Sequence, residues 1–289
     1  MSWLFDGITD WLKQFFIDAI MSSFTGMFDS VNQQVGDIAA QVGATPEGWN
    51  SGVFGMVRTL SETVVLPIAG MILTFVLCYE LIQLIIEKNN MVDFDTFNIF
   101  KWIFKTFIAV FILTNTFNIV MGIFEMVQTV VNASAGLITG DLELGSVSMM
   151  AAIEAQLLTM EIGELIGLFL ETMIVKFVLM VMSVLIMIIV WGRMIEIYLT
   201  VSIAPIPLST MANREWGSVG NNYLKALLAI AFQGFLIMVC VAIYAVLVAG
   251  IADADNMHAA IWTVVGYTAL LCFILLKSGG IAKSLLNAH

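Results

Sequence analysis

Charged residues are scarce in this sequence. Only 11% of its 289 residues are Asp, Glu, Lys or Arg, against about 25% in soluble globular domains. Apolar residues make up 60%, and runs of about 20 of them, long enough to cross a bilayer, recur along the chain. The composition therefore excludes an ordinary soluble domain and predicts a protein that crosses a membrane several times.

The sequence also lacks the residue patterns of common catalytic and metal sites. Its only histidines are His258 and His289. Its three cysteines lie singly inside apolar runs, without the C-x-x-C spacing of a metal or redox centre. Neither a G-x-x-x-x-G-K-[ST] phosphate loop nor an H-E-x-x-H zinc motif is present. We therefore expect no enzyme activity, no catalytic residue, no cofactor and no metal.

Five apolar segments predict an all-α, polytopic transmembrane fold, because a helix satisfies its backbone hydrogen bonds within one segment. The predicted spans are about 63–86, 103–126, 172–192, 226–250 and 259–276. A further apolar stretch, 194–211, contains Pro205 and Pro207, each of which removes a backbone donor. We expect this stretch to form an interfacial or re-entrant hairpin, either dipping into the membrane or lying in its plane.

Lysine and arginine residues orient the predicted spans, because they accumulate on the cytoplasmic side. With the N-terminus outside, three basic residues fall outside, namely Lys13, Arg58 and Lys176. The other eight fall inside: Lys88, Lys101, Lys105, Arg193, Arg214, Lys225, Lys277 and Lys283. A sixth span at 194–211 would leave only four inside. The sequence thus predicts a multi-pass protein of the cytoplasmic (inner) membrane, with its N-terminus outside and its C-terminus cytoplasmic.

Two regions are predicted along the chain. Residues 1–59 are expected to be an extracytoplasmic N-terminal region and linker. Their first part places apolar residues, Trp11 and Phe15 among them, at helical spacing, as in an amphipathic helix that lies on a membrane or packs on a partner. Residues 60–289 are expected to form the transmembrane helical domain, with an outer loop at 128–171.

Four glutamates precede and enter the third predicted span, at spacings of 7, 3 and 7 residues: Glu154, Glu161, Glu164 and Glu171. At about 100° per residue they fall within a third of a helical wheel. The pattern predicts that the third span continues outward as a helix with an acidic stripe. The stripe is either a solvated face, a pore lining in an oligomer, or a docking face for a basic partner.

Polar residues also lie inside the predicted spans. Glu80 and Gln83 lie in the first, and Asn115 and Asn118 lie in the second. Such groups face protein or a water-filled cavity. They either make hydrogen bonds between helices or bind a small substrate or ion.

A motif follows the third predicted span and ends in Ala-Pro-Ile-Pro. Its distinctive residues are Trp191, Arg193, Glu196, Tyr198, Pro205 and Pro207. This motif resembles that of the TrbL family, also called VirB-six-like proteins, which are polytopic inner-membrane components of conjugative type IV secretion systems. Arg193 and Glu196 lie three residues apart, where opposite charges on a helix can meet, and we expect them to form an ion pair.

The resemblance implies a membrane-embedded channel or scaffold component of a DNA transfer (conjugation) machine. Such a component is expected to be a homo-oligomer in the lipid bilayer, to work beside ATPases, and to pass DNA with attached protein. The alternative is a secondary transporter that binds a small substrate or ion through Glu80, Asn115 and Asn118. Transporters are commonly built from internal repeats, and none is evident here.

Overall fold

The computed structural model describes residues 2–87, 96–140, 147–253 and 256–288, and every regular element in these ranges is helical. This confirms the all-α prediction; Lys88 and part of the predicted outer loop lie outside the described residues. The α-helices are α1 (Ser2–Gly43), α2 (Pro46–Trp49), α3 (Ser51–Leu60), α4 (Leu66–Glu87), α5 (Thr96–Thr114), α6 (Thr116–Gly140), α7 (Val147–Thr159), α8 (Ile162–Ser202), α9 (Pro205–Ser209), α10 (Gly217–Ala249) and α11 (Met257–Leu285). A π-helical turn, Ser61–Val65, joins α3 to α4, and 3₁₀ turns follow α9 (Thr210–Ala212) and α10 (Gly250–Asp253).

Five helical stretches are long and apolar enough to cross a membrane, which confirms the predicted number. They are Ser51–Ile86, Phe97–Thr114, Ile162–Ala212, Gly217–Ala249 and Met257–Leu285. The predicted orientation, with the N-terminus outside, stays a prediction from the basic residues.

The predicted second span, 103–126, is wrong in its bounds. The apolar helix that can cross ends at Thr114, and Asn115 forms a turn between α5 and α6. Thr114 and Asn115 both donate side-chain hydrogen bonds to the Phe111 carbonyl, at 3.2 and 2.9 Å. Side chains that bond to the backbone one turn back compete with the helical hydrogen bonds at that position.

The predicted hairpin at 194–211 begins later than expected. Helix α8 continues without a break to Ser202, so 194–202 belongs to the same helix as the third span. At 1.5 Å per residue, its 41 residues extend over about 62 Å, roughly twice the hydrocarbon core of a bilayer. Only the residues after Ser202 leave the helix, where Pro205 starts α9.

The N-terminal region is a single long helix as far as Gly43. Buried side chains recur along it at intervals of three or four residues: Ile17, Ile20, Phe24, Met27, Val31, Val35, Ile38 and Val42. This spacing forms one apolar seam along a helix. The linker is consequently short, and Thr45 and Asn50 cap α2 and α3 by accepting from Gly48 N (3.0 Å) and Val53 N (3.0 Å).

The helices contribute to two compact units. Unit 1 comprises 1–43, 132–190 and 236–277, and unit 2 comprises 44–131, 191–235 and 278–289. In unit 1, Lys13 Nζ donates to the Leu158 carbonyl at 2.8 Å, near the C-terminus of α7 where carbonyls lack helical partners. Tyr244 of α10 and Thr268 of α11 share a buried hydrogen bond of 3.0 Å.

Unit 2 is organised around α4. Its buried residues, Ala69, Leu73, Val76 and Leu77, pack in one cluster with Leu113 of α5 and Ala212 of the 3₁₀ turn that follows α9. The segment between α8 and α10 therefore packs against the middle of an apolar helix that can itself cross a membrane.

Candidate functional site

A helical hairpin in unit 2 carries the motif found in the sequence. We define the hairpin as residues 191–235, which comprise the end of α8, α9, its 3₁₀ turn, a tip at 213–216 and the start of α10. Its two arms are joined by Tyr223, whose hydroxyl donates to the Thr200 carbonyl at 3.1 Å. Gly220 of α10 lies so close to Pro207 that a Cβ there would stand 2.7 Å from the Pro207 carbonyl oxygen.

Asn213 organises the hairpin tip and is only 2% exposed. Its Oδ1 accepts from the backbone N–H groups of Glu215 (2.7 Å) and Trp216 (3.4 Å). Its carbonyl accepts from Gly217 N at 2.8 Å. The side chain thus satisfies backbone donors of the turn that immediately precedes α10.

The other end of the Asn213 side chain joins the tip to α4 and α5. Asn213 Nδ2 donates to Glu80 Oε2 at 2.8 Å, while Lys105 Nζ of α5 donates to Glu80 Oε1 at 2.6 Å. Glu80 is 19% exposed and Lys105 is 39% exposed. Both oxygens of the Glu80 carboxylate therefore have charged or polar partners, as a half-buried carboxylate requires.

A second set of contacts fixes the tip beside Glu80. Gln83 Nε2 donates to Glu215 Oε1 at 2.9 Å, and Tyr79 donates to Glu215 Oε2 at 3.3 Å. The Trp216 ring stacks on Tyr79 and on Phe75, with centroids 5.7 and 5.6 Å apart. We call the following seven residues the tip cluster: Tyr79, Glu80, Gln83, Lys105, Asn213, Glu215 and Trp216.

The structure therefore brings two predicted residues, Glu80 and Gln83, to the end of the hairpin that carries the predicted motif. Sequence reasoning missed their partners Asn213, Glu215 and Lys105. One signal was available, because asparagine favours turns in which its side chain accepts from the backbone N–H two residues further on, as Asn213 does from Glu215.

Arg193 lies between the two arms of the hairpin and is 5% exposed. Its guanidinium donates to the Ala231 carbonyl at 3.5 Å, and its Nε is buried without a hydrogen-bond partner among the described residues. A Cβ on Gly234 would stand 2.7 Å from an Arg193 terminal nitrogen, so this glycine makes the room that the guanidinium occupies. Gln233, the residue before Gly234 on α10, donates to Ser278 of α11 at 3.0 Å.

The expected ion pair between Arg193 and Glu196 is wrong. Glu196 accepts instead from Lys283 of α11 at 3.0 Å, and both side chains are more than two-fifths exposed. Although the two residues share a helix, the Arg193 side chain is buried toward α10 while the Glu196 side chain reaches α11. Helical spacing gives adjacency on one helix but not the direction that each side chain takes.

The remaining motif residues divide between buried and exposed positions. Tyr198 is buried and donates to the Pro46 carbonyl at 2.6 Å, and its ring lies 5.9 Å from that of Trp49. Pro205 and Pro207 are buried in α9, where Pro205 occupies the first turn and its missing N–H leaves no helical bond broken within α9. Trp191 is about half exposed.

The predicted acidic stripe does not lie on one helix. A break at 160–161 places Glu154 on α7 and Glu171 on α8. Glu164 turns back to accept from the Glu161 backbone N–H at 3.1 Å, and so caps the first turn of α8. Glu171 pairs with His258 at 2.9 Å, which the sequence did not suggest. Glu164 and Glu171 thus have hydrogen-bond partners within the protein.

The two asparagines of the second predicted span lie at the break between α5 and α6. Asn115 occupies the turn itself, and Asn118 is exposed in the first turn of α6. Together with Pro205, they border a small polar cavity of unit 2. Ser61, which precedes α4, lines the same cavity, whereas Glu80 lies near the other end of α4. Within the described residues, no group of three or more His, Cys, Asp or Glu side chains is placed to hold a metal.

A large part of the chain, which includes the start of the hairpin, corresponds to a known family. The profile of the TrbL/VirB6 plasmid conjugal transfer like protein family matches residues 31–205, which is more than half of the chain. The chain belongs to this family. No curated protein and no solved structure matches it. As a TrbL/VirB6-like protein with five membrane-capable helices, it is a multi-pass membrane protein and a component of conjugal transfer. Proteins of this family are structural components of conjugation, and it is not a known enzyme family.

Proposed function

We propose that this TrbL/VirB6-like protein is a channel or scaffold subunit of a conjugative type IV secretion machine in the cytoplasmic membrane. The observation that carries the proposal is the family match over 31–205. The hairpin supports it, because buried polar residues such as Arg193 and Asn213 are costly in an apolar protein and mark places where function requires them. Energy for transfer would come from partner ATPases.

A homo-oligomer is part of the proposal, and α5 offers the contact surface. Five phenylalanines recur along this helix at alternating spacings of three and four residues, and all are more than half exposed: Phe97, Phe100, Phe104, Phe107 and Phe111. Alternating spacing of this kind forms a straight seam that interlocks with the same seam on another helix. We propose that neighbouring copies meet there.

We further propose that the exposed glutamates Glu154, Glu161 and Glu164 form an acidic face outside the membrane. Like charges close together favour a basic partner that covers them, or a pore mouth to which DNA phosphates do not adhere. Changing the three to Gln preserves side-chain size while removing three charges from each copy.

The proposal predicts that conjugal transfer depends on this chain. In-frame deletion of its gene from the conjugative element should abolish transfer, and the wild-type chain supplied in trans should restore it. Formaldehyde cross-linking during mating, followed by recovery of the chain, should capture the transferred strand if the chain lines the channel. A scaffold should restore transfer without cross-linking to DNA. Transfer at the parental frequency after deletion would contradict both roles.

A separate experiment tests the α5 contact. A Phe104→Cys variant in a background free of Cys78, Cys240 and Cys272 should form a disulfide-linked dimer in membranes after mild oxidation. Val110→Cys is the matched control, because Val110 is also exposed but points about 100° away from the phenylalanine seam. Equal cross-linking at the two positions would mean that the disulfides form by random collision, and would contradict a contact between copies through the α5 phenylalanines.

A further inference from the structure

One face of α1, in unit 1, is polar and exposed over the thickness of a bilayer. Positions three or four residues apart are neighbours along one face of a helix. Six such positions are all exposed, and none carries an apolar side chain: Asp18, Ser22, Thr25, Asp29, Asn32 and Gly36. At 1.5 Å per residue they extend over about 27 Å, close to the roughly 30 Å of a hydrocarbon core. We call these six residues the polar stripe.

The exposed apolar residues of α1 end where the polar stripe begins. Trp11 and Phe15 are more than half exposed, and their rings stack with centroids 5.9 Å apart. After Phe15, the described part of α1 exposes no large apolar side chain. Aromatic rings are enriched where a membrane meets water. The position of Trp11 and Phe15 is therefore typical of the edge of a bilayer, with the polar stripe lying at its depth.

Two contacts place α1 beside α8. The rings of Phe16 and Phe169 have centroids 5.7 Å apart, and Lys176 Nζ lies 3.7 Å from the position that a Cβ on Gly26 would occupy. The contacts follow the same order along both helices, so α1 and α8 lie side by side and run in the same direction. The segment of α8 that follows Phe169 therefore fixes the depth of the polar stripe.

That segment of α8 has the character of a membrane span. It belongs to the stretch Ile162–Ala212, which is long and apolar enough to cross a membrane. Lys176 is its only charged residue between Glu171 and Arg193. Its exposed side chains are large and apolar, as lipid requires: Ile174, Phe177, Val181, Val184, Leu185 and Ile188. Unit 1 thus exposes, at one depth, an apolar surface on α8 and the polar stripe on α1.

Lipid is excluded as the solvent of the polar stripe. Asp18 and Asp29 are carboxylates, and charged side chains at the depth of a bilayer face protein or a water-filled cavity. The Lys176 ammonium lies beside Gly26, and so on the side of α8 that meets α1. A cavity of about 520 Å³ separates the two helices, and its α1 wall includes Gln33 and Asp37. The polar groups of this layer are therefore gathered along α1.

We propose that the polar stripe is the water-facing wall of a path enclosed by several copies of this chain. The inference rests on the proposed function, and it selects the channel over the scaffold. With the polar stripe turned toward the common axis, the apolar surface of α8 faces lipid. The stripe carries two carboxylates and no basic residue, so a polyanion such as DNA would pass without adhering to it.

This position of α1 differs from the extracytoplasmic one predicted from the sequence. Hydropathy identifies a span by its mean over about 19 residues, and the polar stripe lowers that mean in α1. A helix with one polar face can nevertheless lie at bilayer depth where that face lines water. Its neighbour, and not its own composition, reveals the depth of such a helix.

Cysteine labelling tests the wall in membranes from cells that carry the complete conjugative element. In a cysteine-free background, Thr25→Cys and Asp29→Cys should react with a charged, membrane-impermeant thiol reagent applied to opened membranes. Val181→Cys is the matched control, because Val181 is 43% exposed at a similar depth but lies on the apolar surface of α8. It should react about tenfold more slowly or less, since the reactive thiolate does not form in lipid. Labelling after denaturation measures the amount of each variant.

Two outcomes of the labelling would overturn the proposal. Unreactive Thr25→Cys and Asp29→Cys would mean that protein covers the polar stripe. Equal reaction at Val181→Cys would mean that this layer of unit 1 lies outside the bilayer. Ser22→Cys nearly preserves the size of the side chain, and it provides the same measurement if Asp29→Cys yields too little protein.

A bulky side chain tests whether cargo passes the polar stripe. Thr25→Trp should lower conjugal transfer by about tenfold or more at wild-type protein levels, because the diameter of a pore limits what passes. Val181→Trp adds the same ring to the apolar surface and should leave transfer unchanged. Equal transfer by the two variants would contradict a path along α1. Deletion of the gene is a separate measurement: if transfer requires the chain but the polar stripe is unreactive, only this wall is wrong.

Discussion

Gly220→Ala should destabilise the protein by about 1–3 kcal/mol, the usual cost of adding a methyl group to a filled site. The new Cβ would lie 2.7 Å from the Pro207 carbonyl oxygen and would also collide with the Met211 side chain. The backbone of α9 must then move, because a carbonyl oxygen cannot turn aside as a side chain can. We expect a lower melting temperature in detergent, less protein in membranes and reduced conjugal transfer.

Gly70→Ala is the matched control for Gly220→Ala. Gly70 also lies in a helix of unit 2, but nothing stands within 4 Å of a Cβ built there. Alanine at Gly70 should be neutral or stabilising by up to about 1 kcal/mol, because glycine weakens a helix interior. Adding Met211→Ala to Gly220→Ala should recover only part of the loss, since the clash with Pro207 remains. Equal melting temperatures for the two single variants would contradict the close packing of the hairpin.

Glu80→Ala should detach the hairpin tip from α4 and destabilise the protein by about 1–4 kcal/mol. Asn213 is 2% exposed and would lose the acceptor of its amide group, and an unsatisfied buried donor costs about 1–3 kcal/mol. Lys105 would also lose its carboxylate, although it is 39% exposed and can turn toward water, so its share is about 0–1 kcal/mol. The packing of Trp216 on Tyr79 should loosen as the tip moves.

Two further variants separate the hydrogen bond of Glu80 from its charge. Glu80→Gln keeps an acceptor for Asn213 but removes the charge, and Lys105→Met removes the cation alone. Both variants should have melting temperatures closer to that of the wild type than Glu80→Ala has. Glu125→Ala, an exposed carboxylate elsewhere in unit 2, should have no effect. If Glu80→Ala and Glu125→Ala have the same melting temperature, then Glu80 does not hold the tip.

These variants bear on transfer as well as on stability. The motif found in the sequence contributes Arg193, Tyr198, Pro205 and Pro207 to the hairpin, and the tip cluster attaches the hairpin to α4 and α5. If the hairpin has a role in the secretion machine beyond folding, some variants should lose transfer while keeping wild-type protein levels. Arg193→Met is the most informative of these, because replacing a buried, poorly paired charge with an apolar side chain is often neutral or stabilising.

Sequence reasoning succeeded where the signal is local and additive. The number of spans, the all-α class and the family depended on apolar runs and on one motif, each read from consecutive residues. Reasoning failed where a few side chains redirect the backbone. At the turn between α5 and α6, the Thr114 and Asn115 side chains bond to the Phe111 carbonyl. The break at 160–161 divides four glutamates that a helical wheel had placed together.

The sequence also did not predict which residue each polar side chain contacts. Glu80 meets Asn213, 133 residues away, and Glu196 meets Lys283, 87 residues away. Spacing on one helix suggested Arg193 for Glu196, yet the two side chains leave α8 in different directions. Long-range pairs depend on which helices are neighbours, and an apolar surface accepts many neighbours of similar hydropathy.

The sequence by itself determined that this chain is a helical membrane protein of the TrbL/VirB6-like family, because hydropathy summed over 20 residues decides whether a helix enters lipid. Only the tertiary structure decided that Glu80 and Gln83 hold a hairpin tip, that Arg193 is buried against Gly234, and that three helix breaks share one cavity. These arrangements depend on polar groups that are few in number. In an apolar protein each of them must find a partner, and packing alone determines which partner is within reach.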